Sequence, residues 1–264
     1  MEGAALPGRL IWRSARVVEI IEETPRVRTL LLDCPDWPGH LAGQHVDVRL
    51  TAEDGYQAER SYSIASAPAD EVLALTVERI DDGEVSPYLV GELRVGDEME
   101  LRGPIGGYFV WSKMRGGPLL LLAGGSGIVP LRCIMRQHAA VMSDAPVKLL
   151  YSVRSQAEII YRNELDQFAR NGVEVIYTLT REWPPEWTGY HRRIDGDMLR
   201  EIAWPASDRP LAYVCGPTAF VERAASELVS LKYERDRIKT ERFGPTNDST
   251  IVDRSVRDNT SPIT

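Results

Sequence analysis

Up to about residue 114, hydrophobic and polar positions alternate in short segments. Val46, Val48 and Leu50 are separated by Asp47 and Arg49, the two-residue period of a strand buried on one face. Segments 10–23, 26–34, 45–51, 59–66, 72–80 and 97–103 are rich in Val, Ile, Leu and Thr and predict six strands. Turn chemistry separates them at Pro35-Asp36-Trp37-Pro38-Gly39, Asp54-Gly55 and Asp82-Gly83. A short helix is predicted near Ser86-Pro87, with Ser86 as its cap and Pro87 at the first helical position. Six short strands with hairpin-like links predict a closed antiparallel β-barrel.

The period changes after Gly116-Gly117. Leu119–Ala123 is a continuous apolar run, as a parallel strand buried on both faces requires. Leu131, Ile134, Met135 and His138 then recur at helical spacing, as do Tyr161, Leu165, Phe168 and Ala169. Further strands are predicted at 147–153, 173–180, 211–215 and 237–242, with helices at 197–203 and 218–231. Alternation of this kind predicts a doubly wound, five-stranded parallel sheet. The expected division is a barrel domain over 1–114, an α/β domain over 115–246, and a polar, disordered tail over 247–264.

Composition adds exclusions. Apolar residues make up 43% of the 264 positions, enough for a core in each half. The formal net charge of −8 gives no global attraction for nucleic acid or anionic lipid. No apolar run approaches the ~18 residues of a membrane helix. Polar and charged residues stand at the N-terminus where a signal peptide needs an apolar stretch. Cys34, Cys133 and Cys215 match no disulfide framework and no zinc spacing, and are too few for an iron–sulfur cluster. His40, His45, His138 and His191 form no metal constellation, so no metal is expected. A reducing, cytoplasmic setting and a monomer or weak dimer are expected.

Four strings carry the chemistry. Arg60-Ser61-Tyr62-Ser63 opens the longer Arg60–Ser66 segment, and Gly83-Glu84-Val85-Ser86 precedes the short helix. Gly124-Gly125-Ser126-Gly127-Ile128-Val129-Pro130 joins a buried strand to a helix, and Cys215-Gly216-Pro217 ends a later strand. A cation, an aromatic ring and a small hydroxyl suit a flavin dinucleotide, which presents a pyrophosphate, a flat ring and a redox nitrogen. The same tetrapeptide also suits an amphipathic strand with an exposed Arg and a half-buried Tyr. Glycines between a strand and a helix let backbone approach a phosphate. Position 130, where the usual dinucleotide fingerprint has its third glycine, is Pro here. Cys215 at a strand end is equally consistent with inert packing.

Taken in order, these strings resemble the ferredoxin–NADP reductase superfamily over about residues 10–246. The resemblance implies that Arg60 meets phosphate, Tyr62 the flavin ring and Ser63 its N5. It implies that Ser61 and Ser66 complete an FAD-type motif and that Gly83, Val85 and Ser86 meet the pyrophosphate. Gly124, Gly125, Gly127 and Pro130 would hold NAD(P)H together with Gly216 and Pro217, with Cys215 near the nicotinamide. Glu241-Arg242-Phe243-Gly244-Pro245 resembles the terminal signature, which puts Phe243 over the flavin face. A core Phe at the end of the last strand is the alternative.

Coenzyme choice rests on charge. Ser152, Arg154 and Arg181 suit a 2′-phosphate, and Thr180 stands where an acid would favour NADH. NADPH is favoured, with NADH possible; Glu182 and Glu158 oppose that preference. Ser63, Cys215 and Phe243 are the candidate catalytic residues. With no cluster or haem ligands in the chain, the acceptor is expected to be a separate protein, first a ferredoxin or flavodoxin. A haem, iron–sulfur or molybdenum partner in a stable complex is one alternative, and a free flavin, quinone or ferric chelate is another. Arg9, Arg13, Arg16, Arg26 and Arg28 are candidates for a docking rim.

Overall fold

The structure is a computed structural model that describes residues 10–243. The tail expected at 247–264 lies outside the described residues, as do Gly244, Pro245 and Arg9. The barrel strands are β1 (Trp12–Thr24), β2 (Val27–Asp33), β3 (His45–Thr51), β4 (Gln57–Ser63), β5 (Leu73–Glu78) and β6 (Glu98–Ile105). They pair antiparallel in the order β4-β3-β6-β1-β2-β5. The two edges meet just beyond the ends of β4 and β5. Ile64 bridges Leu75, and the Ala65 N–H donates to the Ala74 carbonyl at 2.8 Å. That contact closes the barrel, as the strand pattern predicts.

The short helix α1 (Ser86–Gly91) differs in one detail. Val85, not Ser86, occupies the cap position, and Ser86 lies inside the helix. The Ser86 hydroxyl instead accepts the Ile80 N–H at 3.0 Å, because the preceding turn leaves that donor without a ladder partner.

The second unit holds β7 (Leu119–Gly124), α2 (Ile128–Ala140), β8 (Val147–Val153), α3 (Arg162–Arg170) and β9 (Glu174–Leu179). It continues through α4 (Gly196–Ile202), β10 (Leu211–Pro217), α5 (Thr218–Ser230) and β11 (Ile238–Phe243). The sheet is parallel in the order β11-β10-β7-β8-β9. Every β7 residue is buried: Leu120 and Leu122 pack to one side, and Leu119, Leu121 and Ala123 to the other. Tyr161, expected on the α3 face, is instead its cap, in a left-handed backbone conformation with φ +60°. Among the described residues no helix is long and apolar enough to cross a membrane.

Chain direction around the sheet reverses between β7 and β10. Ligands of open α/β sheets bind at such a switch, outside the carboxyl ends of the strands. Here those ends touch. A Cβ on Gly127 would lie 2.1 Å from the Cys215 carbonyl oxygen, and one on Gly216 would lie 3.0 Å from the Gly124 Cα.

Gly127→Ala is therefore expected to cost about 3 kcal/mol, because backbone on both sides must shift. Gly125→Ala meets no atom within 4 Å and carries only the strain of φ +54°, about 1 kcal/mol. Urea unfolding of both variants checks this, and equal losses would refute the close-packing explanation.

Candidate functional site

A cleft of about 880 Å³ lies between the barrel and the parallel sheet. Arg60, Ser61, Tyr62 and Ser63 from β4 line one wall, and Gly83, Val85 and Ser86 close its end. Ser126 and Val129 reach it from the β7–α2 junction, and Phe243 from the last described residue of β11. The structure thus brings together the strings at 60–63 and 83–86 with Phe243, though they are far apart in sequence.

Side-chain placement follows from the strand period. Arg60 is exposed, Tyr62 half-buried and Ser63 buried. Arg60 bonds Glu84 at 2.5 Å, and the Tyr56 hydroxyl donates to the same carboxylate at 2.6 Å. Those two donors hold the Glu84 carboxyl below the usual carboxylate range. The Ser61 hydroxyl donates to Asp47 at 2.6 Å. Burial pushes the Tyr62 phenol well up, so it stays a neutral ring. The Ser63 hydroxyl has no hydrogen-bond partner among the described residues. A buried unpaired hydroxyl is costly, and one in a cleft beside Arg60 and Tyr62 fits a ligand atom that completes it. The residues present fit an FAD.

Ser66 is placed differently. Its buried hydroxyl accepts the Ala74 N–H at 3.0 Å, and its carbonyl meets Cys133 Sγ and His40 Nε2, each at 2.9 Å. It braces the end of the cleft wall that β4 forms, from behind. Gly124, Gly125, Gly127 and Pro130 sit at the β7–α2 junction, with Pro130 in the first turn of α2. Cys215, Gly216 and Pro217 end β10 alongside Glu241, Arg242 and Phe243. The Cys215 thiol is fully buried, and burial pushes it well above the ordinary thiol range, so it stays protonated. Phe243 is half-buried and also packs on the core.

Ser152 is the penultimate residue of β8, beside Gly124 of β7, and Arg154 follows in the next loop. The Arg181 N–H donates to the Arg154 carbonyl at 2.9 Å, so the two arginines leave adjacent points. The Thr180 hydroxyl donates to the Val153 carbonyl at 3.1 Å.

Glu241 and His45 were not singled out by sequence reasoning. His45 stands opposite Ser63 across β3 and β4, and Glu241 stands opposite Cys215 across β11 and β10. Their side chains meet at 3.8 Å in the cleft. Burial lowers the His45 imidazole and pushes the Glu241 carboxyl up to about 7. The only available signal was strand register, which depends on pairings distant in sequence.

Family models agree with this geometry. An oxidoreductase FAD-binding domain matches residues 14–110, and an oxidoreductase NAD-binding domain matches residues 121–226. The chain belongs to the ferredoxin–NADP reductase superfamily. It is 32% identical over 210 residues to ferredoxin–NADP reductase B of Sorangium cellulosum, covering 76% of this chain and 85% of that one. It is 31% identical over 237 residues to the glycine betaine monooxygenase reductase subunit of Pseudomonas aeruginosa, covering 88% of this chain. The match spans 64% of that relative's length. The flavohaem-like FAD/NAD-binding domain of a Vibrio cholerae nitric oxide dioxygenase superposes with a TM-score of 0.79 at 27% identity. That overlap covers 88% of this chain and 99% of the other. FAD and a nicotinamide dinucleotide are the cofactors of these two domains, and the superfamily is one of NAD(P)H-dependent flavin oxidoreductases.

The raised Glu241 carboxyl has a consequence for stability. Below pH 4.5, the ordinary carboxyl value, folded and unfolded forms are both protonated. As pH rises towards 7 the unfolded carboxyl ionises first, so stability is lost. Above the folded value the loss levels off. Glu241→Gln should remove this loss, so the variant should gain on the order of 2 kcal/mol over wild type between pH 5 and 7.5. Urea midpoints of the apoproteins measure it, and a difference independent of pH would contradict it.

Proposed function

We propose that the protein carries electrons from NADPH through FAD to a separate redox protein. The unpartnered Ser63 hydroxyl, buried in a cleft shared by both units, is the observation that carries this reading. When bound, FAD would accept a hydride from the nicotinamide and release its electrons singly or in pairs. Arg60 and the Gly83–Ser86 turn would hold its pyrophosphate, Tyr62 would cover one ring face and Ser63 would donate to N5. Ser61 flanks them, and Ser66 braces the wall. Phe243 would cover the opposite ring face, where the nicotinamide would stack.

Gly124, Gly125, Gly127, Pro130, Gly216 and Pro217 form the dinucleotide site at the sheet switch. Cys215, buried and neutral, shapes the floor there and is no nucleophile. Arg154 and Arg181 take the 2′-phosphate with Ser152; among the described residues neither arginine forms an ion pair. Hydride transfer needs no protein acid, only rings held at about 3–3.5 Å. The division into 1–114 and 115–246 and a cytoplasmic setting belong to the same reading.

The acceptor is a ferredoxin or flavodoxin in the first reading. A second reading, the reductase component of an oxygenase, is favoured by two observations. The Pseudomonas aeruginosa relative and a Mycobacterium tuberculosis relative, at 29% identity, are reductase components of monooxygenases. The arginines proposed as a docking rim also do not gather. Arg16 pairs with Asp33, Arg26 pairs with Asp81, and Arg13 bonds the Asp36 and Gly103 carbonyls, at separate ends of β1.

The purified protein should be yellow and release FAD on heating. FMN in its place would refute the FAD assignment, and an apoprotein that takes up no flavin would sink the whole reading. Reduction rates with ferredoxin, flavodoxin and an oxygenase component as acceptors separate the two readings. Arg154→Ala and Arg181→Ala should each raise the KM for NADPH roughly tenfold or more, the scale of a lost charge-assisted hydrogen bond. The KM for NADH should change less than about twofold, and steady-state kinetics with both coenzymes decides it.

A further inference from the structure

Helix α2 does more than follow the glycine loop. Arg132, with its side chain only 11% exposed, lies one turn beyond Val129, which lines the cleft. Its guanidinium makes three contacts in two units. Nε donates to Glu164 at 2.7 Å, Nη1 donates to the Ala65 carbonyl at 3.0 Å, and the group lies 4.5 Å from the centre of the Tyr161 ring. Ala65 stands two residues beyond Ser63, where the barrel closes.

Tyr161 continues the network on the next strand. Its buried hydroxyl donates to Thr76 Oγ1 on β5. The Ile64–Leu75 bridge sets Thr76 opposite Ser63, and both line the cleft. Thr76 meets the Thr29 hydroxyl at 2.8 Å, and Thr29 donates to Glu23 at 2.7 Å. Each hydroxyl in this chain has one defined donor direction, because Glu23 accepts the Thr29 proton and Tyr161 supplies the other end. Tyr161 holds a left-handed backbone, which a bulky residue keeps only where its surroundings over-determine it.

We propose that Arg132 and Tyr161 are positioning residues that clamp both flavin-wall strands, β4 and β5, to the helix that follows the nicotinamide loop. The inference rests on the FAD and NADPH reading above. Apolar contact between the units gives adhesion without direction, whereas these bonds fix the register of the two ring sites. A displacement of about 1 Å between reacting groups costs on the order of a hundredfold in rate.

The test uses the holoenzyme and the apoprotein. Tyr161→Phe removes one oxygen and keeps the ring under Arg132; Arg132→Leu removes both anchors; Arg132→Lys keeps the charge without the fork. Stopped-flow reduction by NADPH should show a limiting hydride-transfer rate lower by about tenfold in Tyr161→Phe and about a hundredfold in Arg132→Leu, with Arg132→Lys between them. The Kd values for FAD and NADP⁺ should move less than about threefold, and the charge-transfer band on NADP⁺ titration should weaken in the same order. Fully FAD-loaded variants with wild-type hydride transfer and an unchanged band would overturn the clamp. In the apoprotein, the Ala65 amide should exchange faster in Tyr161→Phe and Arg132→Lys than in wild type. Unchanged exchange there overturns the clamp even if wild type takes up no flavin, a result that would fail the FAD reading separately.

Discussion

The apolar contact between barrel and parallel sheet is the constraint on which the rest depends. Ala42, Ala65, Ala74 and Val27 face outwards from the barrel and join the cluster built on β7 and α2. Small side chains there let α2 approach the strand wall closely. Phe109 and Tyr213 continue the contact edge to face at 5.1 Å, and the Tyr213 hydroxyl donates to the Val110 carbonyl at 2.8 Å. The cleft is the part of this boundary left unfilled. Its walls are therefore held by packing and hydrogen bonds that a ligand does not touch, which is how a site keeps its geometry between turnovers.

Electrostatics sets a second condition. The chain carries a net charge of −8, and six acids, Asp47, Glu59, Glu78, Asp82, Glu84 and Glu241, line the cleft in which we place a pyrophosphate. Three of these acids are compensated locally. Arg102 pairs with Asp47 at 2.7 Å and with Glu59 at 3.5 Å, and Arg60 pairs with Glu84. Glu241 avoids the problem by staying protonated up to about pH 7. Arg60 has five donors, so a bond to Glu84 leaves others for phosphate. The Tyr56 hydroxyl and Glu84 thus act as an anchor that orients the guanidinium.

The strands were legible because burial imposes a period on the chain, and the apolar β7 could be little else than a sheet centre. The order of the motifs gave the family. Ser66 and Tyr161 could not be placed this way. Ser66 belongs to the motif string, but its hydroxyl serves Ala74, eight positions away across the barrel closure. Tyr161 has the spacing of a helix face, yet it caps α3 because Thr76, 85 positions away, takes its hydroxyl. Glu241 was invisible for the same reason: its protonation depends on burial against residues from β3 and β10, and no local pattern encodes that. Of the arginines expected to form a rim, Arg13, Arg16 and Arg26 are each engaged by an oxygen of their own neighbourhood.

The glycine loop shows how a chemical motif can have a structural origin. Gly127 and Gly216 are glycines because β7 and β10 end against one another, where a Cβ would meet backbone at 2.1 and 3.0 Å. Gly125 differs: at φ +54° it has open space where a Cβ would stand. Close contact of the strand ends also brings Ser126 and Phe243 into one cleft. With Pro130 in the first turn of α2, no glycine is needed there, because the missing N–H falls among donors that a helix start leaves unpaired. The departure from the usual fingerprint therefore follows from packing: the glycines join two strand ends, and that junction is where we propose the dinucleotide site.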